Sequence, residues 1–392
     1  MKIYFGACGI GLGHVGRCLQ IADKLNEQGH KIFFSTYLDG VNLVKKSGYP
    51  YSVSPPVIMV EHPDGTVDTP LTTTKVIYNV LSALKQLMHE IREMIKFKPD
   101  VVVSDTRLTT LIAAKILRIP RILITNQLKV IIPRWAPPSS IKDALLGLVE
   151  GTVFRIFVLF WHMGNPILLV DFPPPLTISK KNIVIPPALR KRSFYLGVPT
   201  RVKPEDLPPI PEIRKKYGLD DKPLIFITIS GTKHEKEGIL KKIEKILPKI
   251  GGDFTIVLSR GIPNGSTKPH VFKNIHIYDW VENRYELIKA CDIVVSRSGQ
   301  TTVAQGMYFG KKMILIPVKN HTEQMGNAES AEDMGFARVL PQDDVSAENL
   351  RKLIEDVLNS ESMAKRAVEI SKKVKKYGNV DVFIDEIIKK AQ

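Results

Sequence analysis

The residue best equipped for chemistry in the N-terminal half is His14, within Gly11-Leu12-Gly13-His14-Val15-Gly16. An imidazole titrates at about pH 6.5, which suits removal of a proton from a hydroxyl, the more so beside a carboxylate. Asp105 is the candidate partner. It follows the apolar run Val101-Val102-Val103-Ser104, and side chains at the carboxyl ends of parallel strands converge on one crevice. Each has a plainer reading, His14 as a polar residue at a helix start and Asp105 as the N-cap of the next helix. Gly11 and Gly13 would let a second molecule, the acceptor of that proton-abstraction step, approach the backbone closely. The same G-x-G-x-x-G spacing also fits a dinucleotide site, so an NAD-dependent enzyme is an alternative. That fingerprint wants an acid at the end of the second strand, where this chain has Ser35-Thr36-Tyr37 and offers Asp39 only beyond.

The C-terminal half offers groups that bind rather than react. Asp292 to Val303 reads as a buried strand ending in Ser296-Arg297-Ser298-Gly299, followed at once by a helix opening on Gln300-Thr301-Thr302. Backbone N–H groups, hydroxyls and the positive helix end then face one spot, as in a diphosphate cradle. Gly231, Thr232 and Lys233 follow the first strand of this half in the same manner, adding a small-residue turn and a cation. Two ordinary strand-to-helix turns would account for each singly. They account less well for both together with His321, Gln324 and Asn327, spaced by three on a helix beginning near Glu323. Such residues share a helix face, and uncharged amides suit sugar hydroxyls because each donates and accepts. No Asp-x-Asp pair stands in this half. Neither a metal nor a cofactor is therefore expected, and helix N-termini with Lys233 or Arg297 would stabilise a leaving diphosphate.

Positioning these groups requires strands that end together. Short apolar runs alternate with amphipathic stretches, as parallel strands alternate with covering helices. The opening reads as strand Lys2–Cys8, a helix ending at Gly29 and strand Lys31–Thr36. The rhythm restarts at Leu224, after prolines at 199, 204, 208, 209 and 211. The expected fold is α/β, two doubly wound Rossmann-like domains facing a central cleft. Domain 1–198 is followed by a proline-rich linker at 199–221, a second domain at 222–370 and a helical tail at 371–392. A length of 392 residues with 44% hydrophobic and 24% charged residues supports two such cores. The formal charge of +16 favours an anionic partner. The basic residues are nevertheless spread along the chain and form no recognised nucleic-acid module, so no nucleic acid is expected. Three scattered cysteines without a C-x-x-C pair, and no signal peptide in the opening residues, point to the cytoplasm.

With these residues in view, the chain resembles the MurG-like GT-B glycosyltransferases of family 28, with kinship to UDP-glucuronosyltransferase-like enzymes. The resemblance covers both domains and is strongest from Trp280 to Leu340 and at Gly9 to Gly16. It implies an N-terminal acceptor domain and a C-terminal domain holding a nucleotide sugar, usually a UDP-sugar. The sugar passes to an acceptor hydroxyl with inversion and without a metal. By position it assigns Gly231, Thr232 and the turn Ser298 to Thr302 to the diphosphate, Gln324 and Asn327 to the donor sugar, and Trp280 or Val281 to the base. His14 falls on the histidine of the family's glycine loop, and Asp105 on the aspartate that partners it in the glucuronosyltransferase-like relatives. Where the MurG-like pattern has a glutamate on the ribose hydroxyls, this chain has Gln305, an amide that accepts without charge. A nucleotide-sugar epimerase on the same fold is the alternative. It needs carboxylates around the donor sugar, for which Glu323 is the obvious candidate.

Ala144 to Met163 is the most apolar stretch. Its aliphatic and aromatic residues contribute about −3 to −7 kcal/mol toward insertion, and Glu150 with Arg155 cost about 5 to 7, so a spanning helix is near neutral. Two readings remain. One is a peripheral helix on an anionic leaflet, flanked by Arg134, Lys142, Lys180, Lys181, Arg190, Lys191 and Arg192. The other is a buried domain helix beside an unrelated basic surface. The MurG resemblance favours the first, with a polyprenyl-linked or other lipid acceptor at the cytoplasmic face of the membrane. Pro55 to Thr74 reads as a long surface loop.

Overall fold

The computed structural model describes residues 1–58, 76–129, 131, 140–200, 202–229, 231, 233–250, 252–262 and 265–392. They fall into two compact units. The first comprises the described residues through Thr200 together with Tyr377–Gln392, the second those of Val202–Lys376.

In the first unit the strands are β1 (Lys2–Ala7), β2 (Lys31–Thr36), β3 (Tyr51–Val53), β4 (Val101–Asp105), β5 (Arg121–Thr125), β6 (Ile167–Leu169) and β7 (Ser193–Tyr195). They form one sheet in the order β3-β2-β1-β4-β5-β6-β7, parallel throughout. Helices α1 (Gly13–Glu27), α2 (Asp39–Ser47), α3 (Val76–Phe97), α4 (Leu108–Ile116) and α5 (Ser140–Trp161) connect them. Side chains alternate across the sheet. Phe5 and Val103 pack on Val15, Cys18 and Leu25 of α1, whereas Tyr4 and Val102 face Met94, Ala113 and Ala114 of α3 and α4. Burial on both faces explains why these strands read as unbroken apolar runs. The chain's last helix, Val380–Ala391, completes this core through Phe383, Ile384 and Ile387. The residues read as one tail, 371–392, are thus divided between the two units.

Helix α3 buries polar side chains beside its core-facing Met94. Asn79, Ser82, Gln86 and Glu90 face inward, where Asn79 bonds both backbone groups of Ile58, Ser82 donates to the Pro56 carbonyl and Gln86 to that of Pro55. Glu90 is fully buried among Arg107, Ser35, Tyr4 and Thr110. Leu81, Leu84, Met88 and Ile95 consequently lie exposed. Helix α5 is also long and apolar enough to cross a membrane, by length and composition, over Asp143–Trp161, and only 11% of that window is buried.

The second unit repeats the architecture. Helix α6 (Ile210–Tyr217) lies inside the stretch read as a linker. Proline is tolerated in its first turn, and its Ile213 is buried. The strands are β8 (Leu224–Thr228), β9 (Thr255–Ser259), β10 (His270–Phe272), β11 (Ile275–Tyr278), β12 (Ile293–Ser296), β13 (Lys312–Leu315) and β14 (Ala337–Val339). Their order is β10-β11-β9-β8-β12-β13-β14, with only β10 antiparallel to its neighbour. Helices α7 (Lys233–Ile250), α8 (Arg284–Ala290), α9 (Gln300–Phe309), α10 (Thr322–Asp333), α11 (Ala347–Asn359) and α12 (Glu361–Val374) surround it. Among its parallel strands each sheet reverses its order at one place, between β1 and β4 and between β8 and β12. Chains leaving the carboxyl ends of those pairs diverge and leave a crevice.

Candidate active site

At the first reversal, register pairs Ala7 of β1 with Asp105 of β4, and the Cys8 N–H donates to the Asp105 carbonyl at 3.2 Å. The glycine turn therefore starts beside Asp105. Gly11 has φ +67, a left-handed conformation that suits glycine, and its N–H donates to the Asp39 carboxylate at 3.2 Å. Gly13 opens α1 and His14 is its second residue. The His14 side chain is 24% exposed, and its Nδ1 lies 2.7 Å from Asp105 Oδ1. That contact commits Nδ1 and leaves Nε2 as the nitrogen able to meet a hydroxyl. Asp105 does not cap a helix, since the N-cap of α4 is Arg107. The chain turns away after Asp105 at Thr106, whose φ of +54 is uncommon for a β-branched residue and keeps company with functional sites.

Arg17 is the residue that sequence reasoning missed. It is 4% exposed and grips Asp105 with both arms, Nε to Oδ2 at 2.5 Å and Nη2 to Oδ1 at 2.6 Å. Its Nη2 also lies 2.8 Å from His14 Nδ1. The available signal was spacing, because a residue three beyond His14 shares its helix face. Burial pushes the Asp105 carboxyl upward, but the Arg17 guanidinium, and then His14, outweigh it and hold the group well below the usual carboxylate range. Cys18 donates to Asp105 Oδ2 at 3.4 Å, and burial followed by that carboxylate pushes its thiol well up. It is no nucleophile.

At the second reversal, register pairs Thr228 of β8 with Ser296 of β12. Gly299 is the N-cap of α9, and both Thr302 and Val303 donate to its carbonyl. A Cβ placed on Gly299 would meet no heavy atom within 4 Å, so the helix end opens onto space. Thr301 is half-buried there and Thr302 is buried. Helix α10 latches this turn from below. Ser298 Oγ donates to the Gln324 carbonyl at 2.6 Å, and Asn327 Nδ2 donates to the Ser298 carbonyl at 3.1 Å. Gln324 Oε1 accepts from the Val318 N–H, and His321 caps α10 by accepting from the Gln324 N–H. His321, Gln324 and Asn327 are thus brought to the turn, but Asn327 is fully buried and shapes it rather than facing outward.

Arg297 also takes a place different from the expected one. It is 1% exposed and donates to the Ile316 carbonyl at 3.0 Å, because it faces the interior beside the end of β13. It braces the turn instead of meeting a leaving group. Gln305 is buried one turn further along α9. Its Nε2 lies 3.4 Å from the Tyr285 hydroxyl, and its buried Oε1 has no hydrogen-bond partner among the described residues. Gln300 is buried at the helix start. Gly231 has φ +139, which suits glycine alone. Thr232 and the side chain of Lys233 lie outside the described residues, as do Arg134, the Lys142 side chain and 59–75 of the expected loop. Trp280 is half-buried with its backbone N–H donating to the Ser266 carbonyl, and Val281 is buried.

Residues 233–381 match the glycosyltransferase family 28 C-terminal domain, and residues 1–196 match glycosyl transferase family 1. An uncharacterized glycosyltransferase of Methanosarcina acetivorans is 31% identical over 360 residues, covering 91% of this chain and 90% of that protein. The UDP-N-acetylglucosamine--N-acetylmuramyl-(pentapeptide) pyrophosphoryl-undecaprenol N-acetylglucosamine transferase of a Sulfurihydrogenibium species is 24% identical, covering 97% and 95%. Among solved structures, MurG of Acinetobacter baumannii superposes with a TM-score of 0.61 at 17% identity, covering 99% of each chain.

Proposed function

The chain belongs to the glycosyltransferases with a family 28 C-terminal domain, and from that premise we propose a metal-independent inverting transfer from a nucleotide sugar, a UDP-sugar first, to an acceptor hydroxyl. The observation that carries the reading is the His14–Asp105 contact of 2.7 Å at the reversal point of the first sheet. In the proposed step His14 Nε2 takes the acceptor's hydroxyl proton as that oxygen bonds to the anomeric carbon. The bond from this carbon to the diphosphate oxygen breaks, and its electron pair leaves with the nucleotide. The N-terminal end of α9 and the turn at Gly231 offer the leaving diphosphate amides and a positive dipole. Gln305 takes the ribose in this reading, with Gln324 and His321 toward the sugar and Trp280 or Val281 toward the base.

A lipid-linked acceptor, with peripheral docking on an anionic membrane, is the finer part of the proposal. The relative from Sulfurihydrogenibium names a pyrophosphoryl-undecaprenol acceptor. Helix α5 carries Leu145, Leu148, Val149, Ile156 and Leu159 exposed on one stripe, while Glu150 is buried. Arg190, Lys191 and Arg192 lie at its C-terminal end, where Arg192 donates to the His162 carbonyl. The outward apolar face of α3 is flanked by Lys85, Arg92 and Lys96. An apolar stripe edged with cations is what an anionic bilayer surface attracts.

The test is thermal-shift screening against UDP-, dTDP- and GDP-sugars, followed by nucleotide-release assays with a polyprenyl-pyrophosphoryl sugar, whose sugar hydroxyls serve as acceptor. Stabilisation by a UDP-sugar with acceptor-dependent UDP release is expected. No stabilisation by any nucleotide sugar overturns the donor assignment. Flotation with anionic liposomes tests docking, which fails if the protein stays in the soluble fraction at low salt.

A further inference from the structure

His14 Nδ1 lies 2.7 Å from Asp105 Oδ1 and 2.8 Å from Arg17 Nη2. A base acting through Nε2 carries its proton on Nδ1 and donates it to Asp105, so Arg17 stands beside the ring as a fixed positive charge and not as a hydrogen-bond donor to it. We propose that Arg17 is a positioning residue that keeps the His14 imidazole neutral, and so competent as a base, at lower pH than a bare histidine–aspartate pair would allow. The inference rests on reading His14 as the base.

The guanidinium is fixed where it acts. Besides both Asp105 oxygens, it reaches Asn126 Oδ1 from Nη1 at 3.4 Å and from Nη2 at 3.3 Å. The planar fork makes this possible, and a lysine could supply the charge but not the fork. Among the described residues, the contacts around the ring and its carboxylate bring few charges. From its own helix comes Arg17, with the neutral thiol of Cys18. From β4 comes Asp105, and Thr106 donates its hydroxyl to Oδ1 at 3.1 Å. Beyond β5 comes the uncharged Asn126. One fixed cation therefore balances one fixed anion before the ring titrates.

A buried carboxylate left alone at hydrogen-bond distance stabilises the imidazolium strongly. Arg17 opposes this twice, by occupying both Asp105 oxygens and by placing positive charge beside Nδ1. Removing it leaves the anion uncompensated, so the ring holds its proton to higher pH and the acid limb of the rate profile moves up.

The test compares full-length wild type, Arg17→Met and Arg17→Lys in two readouts across pH 5 to 9. One is kcat/KM for transfer. The other is the imidazole 15N signals of His14, assigned by their loss in His14→Gln. Arg17→Met is expected to move both transitions upward by about one pH unit or more, and Arg17→Lys to recover part of the shift. Profiles that superimpose on wild type, whatever the loss of thermal stability, overturn the proposal and leave Arg17 a structural counter-ion. Should Arg17→Met not fold, Arg17→Gln, which keeps a donor for Asp105 but no charge, decides with an intact circular-dichroism spectrum, because no shift in either readout overturns the proposal. The 15N readout needs no turnover. If His14→Ala transfers sugar normally the base reading fails, whereas an unshifted 15N titration fails Arg17 alone.

Discussion

The two sheet reversals use the same topology for opposite electrostatics. At β1/β4 a carboxylate, a guanidinium and an imidazole are packed within hydrogen-bond distance, and the anion is fully buried. At β8/β12 the turn after β12 is made of glycine, serine and threonine, held from below by α10, and Arg297 beside it points into the core. A group that must gain and lose a proton needs charged neighbours fixed in place. A site that receives an anion works instead with backbone amides and a helix dipole, which require no titration. The crevice is common to doubly wound sheets, and side-chain charge decides whether it reacts or holds.

The sharpest way to break this contrast is His14→Ala. It is expected to lower transfer by at least about a thousandfold through loss of general-base assistance and orientation, read as nucleotide release. Next is Gly299→Ala. Its backbone angles, φ −63 and ψ 133, suit alanine, and the Cβ meets nothing, so the melting temperature should stay unchanged while donor affinity falls about tenfold or more. Calorimetric titration checks the affinity, and unchanged binding would move the diphosphate elsewhere. Asn327→Ala should cost about 1 to 3 kcal/mol by stranding the buried Ser298 carbonyl, measured by urea unfolding, with donor binding weakened in parallel. The smallest effect is on acid stability. Asp105 is held below its unfolded value, so its contribution is present above about pH 4 and is lost as pH falls through its lower folded value. Melts between pH 3 and 7 should therefore fall less steeply on the acid side in Asp105→Asn.

Much of this was legible in the residues. Strands Lys31–Thr36, Arg121–Thr125 and Ile275–Tyr278 and helix Arg284–Ala290 begin and end where their apolar patterns do. A central parallel strand buried on both faces leaves a clear run, and His14 with Asp105 followed from where two such runs end. Short strands such as Ile167–Leu169 and the edge strand Ser193–Tyr195 carry too few residues for a period to register. The inward Arg297 was misread because a cation beside a phosphate turn suggests a ligand, and sequence does not tell which side of the turn it faces. Arg17 escaped because an arginine in the first turns of a helix reads as a solvated charge, and only the fold buries it against Asp105. Nor does the residue pattern of helix α3 disclose that Ser82, Gln86 and Glu90 are buried beside Met94, since their partners are carbonyls of 55–56 and side chains distant in sequence.

Donor affinity of His14→Ala, titrated beside wild type with the same UDP-sugar, tests the division of labour most directly. The two dissociation constants should agree within about twofold although turnover has been lost. A loss of donor binding that matches the loss of turnover would contradict it, because the imidazole would then belong to the donor's hold and not to the acceptor's activation.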